Sequence, residues 1–172
     1  MKLTRKSAAV IIATSLFTAG ILFTSCKKEE KTPEPEPTPA PVPQTNTQKL
    51  TGKNFKLVAL TVDPALFDGN ANITDVYNSS LFEPCQKDDL VKFESDGKVI
   101  SDEGAVKCNT TDPQTSTGTW LWNSTETVIT VTQDNTPQSF TVMVNDGTTL
   151  KGSTVKNING TNYTFTYTWT KQ

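Results

Sequence analysis

The run Thr161-Asn162-Tyr163-Thr164-Phe165-Thr166-Tyr167-Thr168-Trp169-Thr170 decides the fold. Tyr163, Phe165, Tyr167 and Trp169 fall on one face of an extended chain, and Thr164, Thr166, Thr168 and Thr170 fall on the other. That is the period of two at which successive side chains of a strand point to opposite faces. Aromatic and β-branched residues suit a pleated strand on both sides, so one face is expected in the core and the other in solvent.

Working back from this run, similar stretches occur at Phe55 to Val62, Asp89 to Ser95, Lys98 to Asp102, Gly118 to Asn123, Thr127 to Thr132, Ser139 to Val144 and Thr148 to Thr154. Each ends in turn-forming residues. Asp96-Gly97 and Asp146-Gly147 are tight-turn signals, because glycine accepts the positive φ that hairpin turns need. Neighbours in sequence should therefore be neighbours in space. The expected fold is all-β, an antiparallel eight-stranded up-and-down barrel that removes exposed edges, with a sandwich as the alternative. Asp63 to Asp88 breaks the pattern and is expected to hold one short helix around Thr74 to Ser80.

The N-terminus is organised differently. Lys2, Arg5 and Lys6 precede an apolar run from Ala8 to Phe23, the layout of a cleavable export signal. Phe23-Thr24-Ser25-Cys26 resembles a bacterial lipobox, which implies cleavage before Cys26 and its acylation; several acyl chains give a durable membrane anchor. Lys27-Lys28-Glu29-Glu30 resembles the signal that sends lipoproteins to the outer face of the outer membrane in some lineages. Proline then stands at 33, 35, 37, 39, 41 and 43. Such a segment favours extended polyproline II at about 3.1 Å per residue, a disordered tether reaching roughly 60 Å by Gln48. The expected organisation is a lipoprotein signal peptide over 1–25, the lipidated cysteine and Pro-rich linker over 26–48, and the barrel over 49–172.

Composition narrows the chemistry. Removing the signal leaves a chain acidic by about five charges, with no Lys/Arg cluster to neutralise phosphates, so nucleic acid is not an expected partner. Histidine is absent, which excludes Ser-His-Asp and Cys-His catalysis and His-ligated zinc. Of three cysteines, Cys26 is the lipid acceptor, and Cys85 and Cys108 are expected to form a disulfide in an exported protein. If Asp96-Gly97 is a two-residue turn closed by Ser95 and Lys98, the hairpin register sets Cys85 opposite Cys108. A three-residue turn with a bulge shifts the pairing by one.

Several segments are together similar to the lipocalin-like domains of bacterial surface lipoproteins: Leu50-Thr51-Gly52-Lys53-Asn54-Phe55-Lys56-Leu57, Cys85 with Asp88-Asp89, Phe93 with Asp96-Gly97-Lys98, Cys108, Gly118-Thr119-Trp120 and the strand Tyr163 to Trp169. The similarity covers roughly residues 49–172. It implies a calyx-shaped barrel and no particular ligand. Lipocalins begin with Gly-x-Trp, whose Trp plugs the barrel floor; here Gly52 is followed by Lys53-Asn54-Phe55, a later and smaller aromatic.

Phe93, Trp120, Trp122, Tyr163, Phe165, Tyr167 and Trp169 are the residues expected to line an aromatic binding pocket, the competing reading being that they fill a solid core. Asp88, Asp89, Asp102 and Glu103 are the local candidates for acid/base chemistry, but acidic pairs at strand ends are usually solvated and no catalytic role is expected. Asp68-Gly69-Asn70-Ala71-Asn72 begins like a calcium loop, yet Ile73 and Ser79 stand where Gly and Glu are required, so no metal site is assigned. No cofactor is expected. The reading is a monomeric, non-catalytic lipoprotein, lipid-anchored in the outer membrane and facing the cell exterior. Its barrel binds a small apolar ligand or a glycan, the alternative being a solid, ligand-free barrel that serves as a structural or interaction body.

Overall fold

The closing strand carries the architecture. The computed structural model describes residues 42–172; the export signal, Cys26 and the tether up to residue 41 lie outside the described residues. β9 (Thr161–Lys171) pairs antiparallel along its full length with β8 (Thr149–Ile158), and on its other edge with β1 (Asn54–Phe67). The first and last strands therefore meet, and the sheet has become a cylinder.

The remaining wall runs in chain order through β3 (Leu90–Phe93), β4 (Lys98–Asp102), β5 (Thr115–Trp122), β6 (Val128–Gln133) and β7 (Thr136–Asn145), each antiparallel to the next. β3 returns to β1 through Asn54↔Lys92, Phe55↔Val91 and Lys56↔Leu90. This is the expected eight-stranded antiparallel barrel, in which no wall strand is left with an open edge.

β2 (Asn72–Asp75) is a ninth strand, added to the far half of β1. It takes in Thr74 and Asp75 of the stretch Thr74 to Ser80 where a helix is expected from the sequence, the rest of that stretch is turn and bend, and that expectation is corrected. Ile73 and Thr74 are β-branched and suit pairing on the free length of β1. Beyond Asp75 the chain turns: the Asp75 carboxylate accepts hydrogen bonds from Asn78 N and Nδ2. The helical residues lie elsewhere, in α1 (Asn46–Leu50) and in a 3-10 turn at Pro84–Lys87.

A bulge in β1 explains its uneven apolar pattern. Leu57 pairs with Trp169 but Ala59 pairs with Thr168, so Val58 is an extra residue and stays exposed. Leu57 before it, and Leu60 and Val62 after it, then pair with Trp169, Tyr167 and Phe165 on the aromatic face of β9, while Phe55 stands opposite Lys171.

One end of the cylinder is a sealed floor. Leu50, Phe55, Phe93, Val99, Trp120, Ile129 and Leu150 form one buried cluster, with Leu50 and Phe55 fully inaccessible. α1 delivers Leu50 to it. A reciprocal capping box between Thr45 and Gln48 begins this short helix. Asn145 Nδ2 donates to Asn46 O at 2.8 Å, and Lys53 Nζ donates to Lys49 O and Gly147 O, tying the helix to the β7–β8 turn. α1 is thus held against the barrel ahead of β1. The Trp120 indole donates to Glu94 O at 2.9 Å, so a floor side chain also holds the β3–β4 turn.

That turn settles the hairpin register. Phe93 pairs with Val99 and Glu94 N donates to Lys98 O, so Ser95-Asp96-Gly97 is a three-residue turn with Gly97 at φ +84°. The two-residue register is corrected by one. Cys85 and Cys108 are bonded nonetheless, with Cα atoms 5.2 Å apart. They lie beyond the strand ends, in the 3-10 turn and the β4–β5 loop, and staple those two loops at the end opposite the floor.

Candidate functional site

Above the floor the cylinder is hollow. Alternate residues of β6 (Ile129, Val131, Gln133), β7 (Gln138, Phe140, Val142) and β8 (Leu150, Gly152) face Val91, Phe93 and Trp169 around a cavity of about 350 Å³. Its base is the top of the floor cluster, and its walls are aliphatic and aromatic. Its far end is polar: Gln133, Thr136 and Gln138 stand there, and Gln133 Nε2 donates to Ser101 Oγ at 2.8 Å and to Ser116 Oγ at 3.2 Å. An apolar chamber with a few placed polar groups is the usual build of a small-molecule site.

The void has a local cause. An eight-stranded barrel is just wide enough for its own side chains to fill it, so small inward residues leave space. Gly152, paired with Tyr167 on one side and Val142 on the other, supplies no side chain to the chamber it lines. Gly118 and Ser116 on β5 and Ser101 on β4 add little volume to the same half of the interior, where Val99 pairs with Gly118 and Ser101 with Ser116.

Three aromatic rings hold one wall. Tyr167 and Trp169 stack with centroids 5.3 Å apart, and Phe140 meets both edge-on, at 5.4 and 5.9 Å. Such pairs favour offset or perpendicular arrangements and fix one another's rotamers. Burial pushes the Tyr167 phenol above its ordinary value, with the neighbouring Gln138 side chain acting in the other direction.

A second cavity of about 240 Å³ adjoins the first across Val91 and Trp169. Phe55, Leu57, Phe82, Leu90 and Ser101 line it, together with Asp89. Asp89 Oδ1 is buried and has no hydrogen-bond partner among the described residues. Burial pushes this carboxyl up to about 6, and the charges of Glu103, Asp88 and Asp102 add to the effect.

The four acidic candidates are therefore unlike one another. Asp88 Oδ2 accepts from Ala105 N and Val106 N, and Asp102 Oδ1 accepts from Gly104 N and Gln114 Nε2, so both organise the β4–β5 loop. Asp89 alone of the four lines this smaller cavity. Asp68, at the calcium-like motif, accepts from Asn70 N and Ala71 N and shapes the β1–β2 turn. Among the described residues no three acidic or sulfur side chains converge as metal ligands would.

The seven aromatics singled out from the sequence divide into three groups. Phe93 and Trp169 line the larger cavity, with Tyr167 stacked behind Trp169. Trp120 belongs to the floor, and Trp122 packs against it edge-on at 6.2 Å. Tyr163 and Phe165 pack with Leu60, Val62 and Val76 in a second cluster, where β1 and β2 meet the distal part of β9. Phe140, Val131, Val142 and Gln138 line the chamber but escape sequence reasoning. The alternation Gln138, Phe140, Val142 is the signal that marks them as one face.

No protein-family model and no curated protein matches this sequence.

Proposed function

We propose that this chain is a lipid-anchored, cell-surface lipoprotein whose barrel is a lipocalin-like binding module for a small, largely apolar molecule. One observation carries the binding part: an apolar chamber of about 350 Å³ sits over a sealed floor and under a polar rim. A barrel serving only as a solid body gains nothing from such a void, since each unfilled volume forfeits packing contacts. The hollow interior therefore supports ligand binding over the solid-body alternative. The anchoring part rests on the lipobox-like Phe23-Thr24-Ser25-Cys26 and the proline-rich tether, together with the oxidised Cys85–Cys108 pair, a bond typical of exported proteins.

Native mass spectrometry of protein recovered from membranes tests the binding part. The expected result is a co-purifying small molecule, and an apo mass across repeated preparations overturns it. Metabolic labelling with palmitate tests the anchor: label should enter the chain and be lost in Cys26→Ala. Protease treatment of intact cells should release the barrel by cutting the tether, and protection there would overturn the surface location.

A further inference from the structure

We propose that the barrel takes an organic cation: an ammonium group seated against Asp89 in the smaller cavity, with its apolar body passing Trp169 into the larger one. This inference rests on the ligand-binding reading above and names the class of ligand.

The geometry supplies both halves of an ammonium site. Asp89 offers a carboxylate oxygen, Oδ1, that is out of solvent and without a donor. A buried acceptor left unmade is costly, and a donor brought by a ligand would relieve it. Phe55, Phe82 and Trp169 line the same cavity as Asp89, together with Gln86 and Ser101, and aromatic surfaces attract cations electrostatically.

The charges that act on Asp89 share one sign. The groups acting on Asp89 are Asp88 beside it and Asp102 and Glu103 at the end of β4, all acidic. Two lysines stand in this region without pairing with Asp89: Lys87 Nζ lies 4.8 Å over the Tyr77 ring, and Lys56 exerts a minor attraction on Asp88. The ion pairs among the described residues, Lys92–Glu94 and Lys98–Asp96, do not include Asp89. A metal ion would need several converging ligands, which the described residues lack. An organic ammonium needs one carboxylate and an aromatic enclosure. The larger cavity is apolar and lies next to the smaller, with Val91 and Trp169 lining both, which places room for the attached chain beside the carboxylate.

The test compares three probes of equal length, hexylamine, hexanol and hexanoate, by titration calorimetry at pH 7.5. The whole chain is held in phosphatidylcholine nanodiscs, and protein-free nanodiscs are subtracted as the blank. Hexylamine is expected to bind at least about tenfold tighter than hexanol, with hexanoate weakest. In Asp89→Asn the preference for the amine should vanish while hexanol affinity is retained. Equal binding of all three probes to the unaltered chain overturns the cation inference and leaves the cavity reading standing. Binding of none overturns both. The amine-to-alcohol comparison needs no substitution, so it decides the question even if the variant fails to fold.

Discussion

Gly118 on β5 lies against Gln133 on β6, and the Gln133 side chain occupies the space that a methyl group at 118 would need. A Cβ there would stand 2.7 Å from Gln133 Cγ and closer still to the Thr132 carbonyl oxygen. The absent side chain is what lets Gln133 cross the interior and bond Ser101 and Ser116, holding three strands together near the polar end of the chamber.

Gly118→Ala should therefore destabilise the fold. Alanine in a strand interior would ordinarily gain roughly 0.5–1 kcal/mol over glycine through backbone entropy. Overpacking against a carbonyl oxygen outweighs that, and a net loss of about 1–3 kcal/mol is expected by urea unfolding. A variant as stable as the unaltered chain would show that Gln133 can move aside without loss.

Val142→Phe should close the binding chamber while leaving the barrel folded. Val142 is half-buried and lines the larger cavity, so the added ring has empty volume to enter. Fluorescence of an anilinonaphthalene probe should fall at least about tenfold in affinity, with only a small change in Tm. Undiminished probe binding would place the site outside the chamber.

Replacing Cys85 and Cys108 together by serine should cost about 3 kcal/mol in the chain-entropy model, given a sequence separation of 23 residues. The bond joins two loops beyond the strand ends, so hydrogen exchange should accelerate first in the 3-10 turn and the β4–β5 loop. The floor around Leu50 and Phe55 should remain protected.

Asp89 gives stability a dependence on pH of unusual sign. Its folded-state value is raised from 3.8 to about 6. Between those limits the unfolded chain ionises more readily than the folded one, so stability is lost as pH rises from 3.8 to about 6 and stays lower above that range. Asp89→Asn should therefore stabilise the protein at pH 7.5 by about 1 kcal/mol, a figure discounted for solvent screening, and should be neutral near pH 3. Thermal melts at the two pH values check it; equal effects at both would contradict the shift.

Asp146 should act in the opposite direction. Its carboxylate accepts from Thr149 N, Thr148 Oγ1 and Thr148 N in the β7–β8 turn, which lowers it to about 2. The stability this contributes is complete above 3.8 and is lost as pH falls through about 2. Asp146→Asn should lower Tm at pH 7 and leave it unchanged near pH 1.5.

Much of this molecule is written in short-range pattern. The alternation Tyr163, Phe165, Tyr167, Trp169 marks a strand with one inward face, and the glycines at 97 and 147 mark turns at φ +84° and +91°. These are local properties, set by the pleat and by backbone sterics within a few residues. The strand count of the wall follows from them. β2 does not, because Asn72–Asp75 is short and polar and becomes a strand only where the free length of β1 offers it a partner.

By itself the sequence determined a barrel of alternating strands, the absence of histidine chemistry and the pairing of Cys85 with Cys108. Tertiary structure alone decided the one-residue shift of the β3–β4 hairpin, the bulge at Val58, which aromatics meet a cavity, and the isolation of Asp89. The reason is volume and charge summed around a closed ring. Whether a side chain faces a filled floor or a void depends on residues such as Gly152, contributed by strands far away in the chain. The ionisation of one carboxyl likewise depends on neighbours that only the folded loops assemble.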